Sequence, residues 1–372
     1  MIGAIETFSS ESKPTYDPRM AHSRPFVLAL VILLSVAVAC RATPEPPAPA
    51  RAAAIDEDLL DVTVTELHRL YADKKYSVTQ VVQWHLDRID RYNGVYGAIE
   101  TVFKGEALAE AARQDTEAGQ GRGARGPLWG VPIVVKANTS IKGQVTTAGW
   151  EGFTRKGHEL VAPQDATVVA KFKAAGAIIV GHTNMPDLAN SDTNRSSSFG
   201  RTGNAYDVRF SPGGSSGGTV TAVATNMAVL GNGTDTGNSI RMPAATSALV
   251  GVFPTRGLVS IAGIAPLDWL LDNTGPIART ATDAAIALAV MAGEDPLDAL
   301  TLGSPGYASV RPISRISRPM PSRASGSPCR RSSSPVMAFR SMAFRRVCLR
   351  RQPNRCARPR TCRCDRRRAK CS

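Results

Sequence analysis

The chain has 372 residues, enough for one large core or two small ones, and a formal net charge of +14. Such a charge suggests nucleic acid or an anionic surface as a partner, but its distribution excludes that for most of the chain. Residues 311–372 hold 18 Arg and Lys370 against Asp365 alone, so 26 basic and 30 acidic residues remain in 1–310, a net of −4.

Residues 26–40, FVLALVILLSVAVAC, are apolar apart from Ser35. Fifteen residues is short for a membrane span and suits the hydrophobic region of a signal peptide. Met20, His22 and Arg24 make a natural start for it, so residues 1–19 read as a start assigned too far upstream and 20–40 as the signal peptide. Ala37-Val38-Ala39 fits cleavage before Cys40, which is also where a bacterial lipoprotein would carry its lipid anchor. The expectation is an exported protein: periplasmic, secreted or membrane-anchored. Residues 41–56, with TPEPPAPARAAA, read as a Pro/Ala linker with nothing to pack against.

From about Asp56 the pattern becomes globular. Ser77 is expected to cap a helix whose Val78, Val82, Leu86 and Ile89 share one face, and a second helix covers roughly 105–117. Val131–Val135 is a short apolar run that reads as a buried strand. Asp165 is expected to cap a helix carrying Val168, Val169 and Phe172, ended by Gly176, with a strand over 177–180. Residues 219–227 are a helix candidate. Strands follow at 228–230 and 250–253, and a helix of about 282–292 closes the body. This alternation predicts an α/β domain over 57–306, a mixed sheet covered by helices on both faces.

Beyond about residue 306, Arg, Ser, Pro and Cys dominate and neither apolar period survives. Six of the seven cysteines lie there, leaving the body with Cys40 alone and no disulfide framework or thiolate metal site. An 18 to 1 ratio of Arg to Lys is what GC-rich coding DNA read out of frame would produce. The segment 307–372 is therefore expected to be a disordered tail standing where the domain's own C-terminal part should be.

Three segments carry chemistry. Ser211-Pro-Gly-Gly-Ser-Ser-Gly-Gly218 concentrates four glycines, which would permit unusual dihedrals and leave N–H groups open to a ligand. Gly213-x-Ser215-x-Gly217 also fits a nucleophile elbow, which needs a later His. The histidines are His22, His68, His85, His158 and His182, so none follows Ser215 unless one was lost with the C-terminus. Ser239 follows the Thr236-Gly237-Asn238 turn just ahead of a helical run, where free N–H groups and the helix dipole suit a developing oxyanion. Asp235 and Arg241 flank it and could pair to hold the loop. Lys136 ends an apolar strand, and desolvation there favours the neutral amine, which can act as a base.

Together these segments resemble the amidase signature family, with its GGSSGG loop, GTDxGGSIRxP loop and GVPxxVKD strand end. The resemblance extends over roughly 57–300, including the connecting segments 165–185 and 271–285. It implies Ser239 as nucleophile, Ser215 as a bridging serine in a cis peptide and Lys136 as base, with Thr236, Gly237 and Asn238 in the oxyanion loop. Ser216 is then structural. Asn238 stands where the family usually has Gly, Ala137 where it has an acid, and His182 where Lys is common. The implied activity is hydrolysis of a small-molecule or peptide carboxamide through an acyl-enzyme, with no metal, cofactor or nucleic acid. Two rivals are an inactive, truncated amidase fragment and a glutamine-hydrolysing amidotransferase subunit, the latter being cytoplasmic work that export opposes.

Overall fold

In the computed structural model the described residues are 49–121 and 126–304. The signal-like segment, Cys40 and the Arg-rich tail lie outside them. Three helices open the fold: α1 (Pro49–Leu59), α2 (Val64–Ala72) and α3 (Val78–Tyr96). Then come β1 (Ile99–Val102), α4 (Lys104–Gly119), β2 (Pro132–Lys136), α5 (Thr167–Ala174) and β3 (Ile178–Thr183). A small hairpin joins β4 (Arg195–Ser196) to β5 (Gly200–Arg201). Past it run α6 (Gly217–Ala224), β6 (Leu230–Asp235), α7 (Arg241–Thr246), β7 (Val250–Gly251), β8 (Asn273–Ala278) and α8 (Ala281–Met291).

Six strands form one sheet in the order β1-β3-β2-β6-β8-β7. The centre, β3-β2-β6, is parallel, and the outer pairings are antiparallel. Every residue of β2, β6 and β8 is buried. Successive strand side chains point to opposite faces, so both faces of the central sheet are covered. The expected α/β class with a mixed sheet is what the chain adopts.

Local signals were legible where a side chain meets its own helix. Ser77 accepts from the Gln80 N–H and Gln80 reaches back to the Ser77 N–H, a capping box for α3. Long-range partners overturned others. Asp165 does not cap α5, whose first residues have no side-chain cap. Its carboxylate instead accepts from the Lys142 N–H at 2.8 Å and pairs with Lys173. The Pro/Ala stretch is helical from Pro49, not a linker to residue 56. Ile55 and Leu59, one turn apart, pack into the core and anchor α1 there.

The largest shift concerns β6. An apolar strand is expected only to Leu230, yet the strand runs on through the polar Gly231-Asn-Gly-Thr-Asp235, paired with β8 from Leu230–Ala278 to Asp235–Asn273. Buried polar side chains are tolerated because they are bonded. Asn232 accepts from the Lys136 N–H at 3.0 Å and donates to Thr139 Oγ1 at 3.0 Å. Helix α6, buried from Gly217 to Val223 and packed against β2, β6 and β8, begins two residues ahead of expectation, where distant partners take the first N–H groups: Asn194 that of Gly217 and the Asn184 carbonyl that of Gly218.

Candidate active site

Strands β2 and β6 run parallel, so Lys136 and Asp235 end them at the same edge of the sheet. Ligands of α/β folds commonly bind at the carboxyl ends of such strands. The Lys136 side chain is fully buried. Its Nζ lies 2.7 Å from Ser215 Oγ, 2.7 Å from Thr234 Oγ1 and 3.4 Å from the Thr234 carbonyl oxygen. Burial drives the amine from 10.5 down to about 7, against the opposing pull of Asp235 and Asp272. A neutral amine has two N–H bonds and one lone pair. Given to the Thr234 oxygens, those bonds leave the lone pair to accept from the Ser215 hydroxyl.

Ser215 and Ser216 are both buried, and the Gly214–Ser215 peptide is cis. Ser216 serves the scaffold: its hydroxyl donates to the Thr234 carbonyl at 3.2 Å and lies 3.3 Å from the Thr234 N–H. The Ser216 N–H donates to the Ser239 carbonyl at 3.2 Å, which holds the backbones of the two serine segments side by side. Ser239 is 7% exposed. Among the described residues its hydroxyl has no hydrogen-bond partner, so the Lys136–Ser215 link is closed and a Ser215–Ser239 link is not.

The loop carrying Ser239 is clamped from both ends. Asp235 pairs with Arg241 at 3.0 Å and accepts from the N–H groups of Ile240 (2.9 Å) and Arg241 (3.3 Å). Burial pushes the Asp235 carboxyl up, but these donors outweigh it and hold it below the usual range. Arg241 also donates to the Gly237 carbonyl. Thr236 Oγ1 donates to Asp272, whose carboxylate gathers the N–H groups of Leu267 (2.9 Å) and Asp268 (3.2 Å) as well.

The donors thought free at the start of α7 are therefore taken by Asp235. Free donors sit one step earlier: the N–H groups of Thr236, Gly237, Asn238 and Ser239 meet no acceptor among the described residues. Neither Gly237 nor Asn238 has a positive φ, so Asn in place of the family's Gly imposes no backbone penalty.

The glycine loop also differs from expectation. Three of its four glycine N–H groups are already bonded within the fold, and only that of Gly214 meets no acceptor among the described residues. Gly217 donates to Asn194 Oδ1 at 3.0 Å, Gly218 to the Asn184 carbonyl at 3.1 Å and Gly213 to Ser211 Oγ at 3.1 Å. Close packing accounts for the glycines. A Cβ on Gly218 would fall 2.3 Å from the Asn184 carbonyl oxygen, and one on Gly214 would fall 2.6 Å from that of Ser191. Asn184, Asn194 and Thr202 form the buried polar cluster behind the loop. Sequence reading missed them, together with Thr234 and Asn138, which donates to Thr234 Oγ1 at 3.1 Å. Only the Asn194 spacing, within a Ser/Asn-rich stretch ahead of the glycines, offered any signal.

Against known proteins, residues 80–319 match the family model described as Amidase. The chain belongs to the amidase family. It is 40% identical over 242 residues to the A-type subunit of the glutamyl-tRNA(Gln) amidotransferase of Alkaliphilus metalliredigens, covering 65% of this chain and 48% of that protein. The peptide amidase of Stenotrophomonas maltophilia superposes with a TM-score of 0.60 at 36% identity, over 66% of this chain and 50% of that one. An amidase family protein from Bacillus anthracis gives 0.62 at 34%, over 69% and 52%. The chain thus spans about half the length of the amidase-family relatives it matches.

Proposed function

We propose that this chain is a serine amidohydrolase that cleaves a carboxamide through an acyl-enzyme on Ser239. The observation that carries it is a fully buried lysine amine, brought to about 7 by burial, 2.7 Å from the Ser215 hydroxyl and beside a loop of uncommitted N–H donors. Neutral Lys136 takes the Ser215 proton as Ser215 takes that of Ser239, and the Ser239 oxygen bonds to the amide carbon. The N–H groups of residues 236–239 receive the oxyanion. Collapse breaks the C–N bond, and the proton held on Lys136 returns through Ser215 to the leaving amine. Water then attacks the ester, releasing the acid and restoring Ser239. The open Ser215–Ser239 link is compatible with this, since catalytic hydrogen bonds are often loose before substrate binds.

An alkyl fluorophosphonate should form an adduct mapped to Ser239 by peptide mass spectrometry and lost in Ser239→Ala. Labelling that persists in that variant would contradict the assignment. Lys136→Ala should abolish labelling as well, and full retention would remove it as the base. A second reading, a glutamine-hydrolysing amidotransferase subunit, is favoured by the names of the relatives and opposed by the signal-like segment. Ammonia release from free glutamine, and not from simple alkyl amides, would select it.

A further inference from the structure

The loop that carries Ser239 is joined to two exposed apolar elements, each through one residue. On one side Arg241, bonded to the Gly237 carbonyl, lies 4.4 Å over the ring of Phe253, which is itself exposed. On the other, Asp272 accepts from Thr236 and closes a tight turn over Leu267-Asp-Trp-Leu-Leu271. That turn is tied by its own hydrogen bonds: the Leu271 N–H donates to the Asp268 carbonyl at 2.9 Å, the Asp272 N–H donates to it at 2.7 Å, and the Leu270 N–H donates to Asp268 Oδ1 at 2.9 Å. Yet it presents apolar side chains to solvent, with Trp269 64%, Leu270 57% and Leu271 53% exposed. A hydrogen-bonded turn that exposes a tryptophan and leucines gains nothing for its own stability, because that area stays in water. Its gain comes when something apolar covers it.

We infer that the Leu267–Leu271 turn, tied through Asp272 to the loop that carries Ser239, recognises an apolar alkyl or aryl substituent of the amide that Ser239 attacks. The occupant follows from continuity. The turn shares Asp272 with Thr236, at the start of the loop whose N–H donors face the reacting carbonyl in the proposed mechanism, so a group attached to that carbonyl passes beside it. This deepens the amidohydrolase reading and rests on it. An amide no larger than acetamide would leave the turn uncovered, whereas a six-carbon chain would remove it from water. At roughly 0.8 kcal/mol per buried CH₂, even two or three covered methylenes correspond to about tenfold or more in affinity.

Calorimetric titration of the full chain carrying Ser239→Ala, with hexanamide and with acetamide, tests this without turnover. Hexanamide should bind at least about tenfold more tightly, and adding Trp269→Ser should remove most of that preference. Val95→Ser, another exposed apolar position at 63%, should leave it intact. Equal affinities, no binding of either amide, or a preference that survives both Trp269→Ser and Leu270→Ser overturns the inference. Unchanged melting temperatures separate lost contacts from lost folding. Fluorophosphonate labelling of Ser239 in the unmodified chain reports on the catalytic reading separately: labelling without an apolar preference sinks the inference alone, and preference without labelling sinks the mechanism alone.

Discussion

Lys136 shows how a single residue changes character with its surroundings. An exposed lysine titrates near 10.5, and at neutral pH almost none of it can accept a proton. Full burial at the end of β2 brings it to about 7. In the proposed relay the reactive form is the unprotonated one, so the sign is clear. Fluorophosphonate labelling of Ser239 should rise with pH through about 7, level off above it, and fall about tenfold per pH unit below it. A rate independent of pH between 5 and 9 would remove Lys136 from the relay. Gly237 makes a second residue-scale case. A Cβ there would meet open space, so Gly237→Ala should leave the melting temperature within a degree or two of the parent. If the loop's N–H groups receive the oxyanion, the added methyl stands where substrate must approach, and labelling should slow by about 10- to 100-fold. The type and place of Lys136, Ser215 and Ser239 were legible because each sits in a short, unusual context. Thr234 and Asn138 were not, since a threonine and an asparagine become partners of an amine only when two strands are laid side by side.

At the scale of elements, the glycines explain the architecture more than they explain binding. Gly231 and Gly233 of β6 would bring a Cβ within 2.8 Å of Thr219 and Ser216, respectively, so their absence of side chains lets α6 lie close against the sheet. Gly218, within α6, does the same against the backbone of Asn184 and Ala98. Gly218→Ala should therefore destabilise the fold by about 3 kcal/mol, read as a lower urea midpoint. An unchanged midpoint would show that the Asn184 backbone can give way. The helix and strand cores were readable from apolar periodicity. Misjudged ends, at α1, α5, α6 and β6, are places where tertiary packing or a distant polar partner set the boundary. Asp165 looked like a cap because local spacing allowed it, and Lys142 and Lys173 claimed it instead.

For the whole molecule, half of the length of the matched relatives is represented, and the family match ends at residue 319. Among the described residues no helix is long and apolar enough to cross a membrane. Export rests on the segment before Cys40, and we propose that the chain is processed there. Mass spectrometry of the protein from exporting cells should find Cys40 as the first residue, bare or lipidated; an intact Met1 or Met20 would count against it. Family and fold class were legible in the sequence itself, and so were the three side chains of the proposed relay, because short motifs and apolar periods are written in neighbouring residues. The tertiary structure alone decided which amides are occupied and which are open, and what neutralises the lysine. Those depend on distances between segments as far apart as Lys136, Ser215 and Ser239, and burial exists only once they have come together.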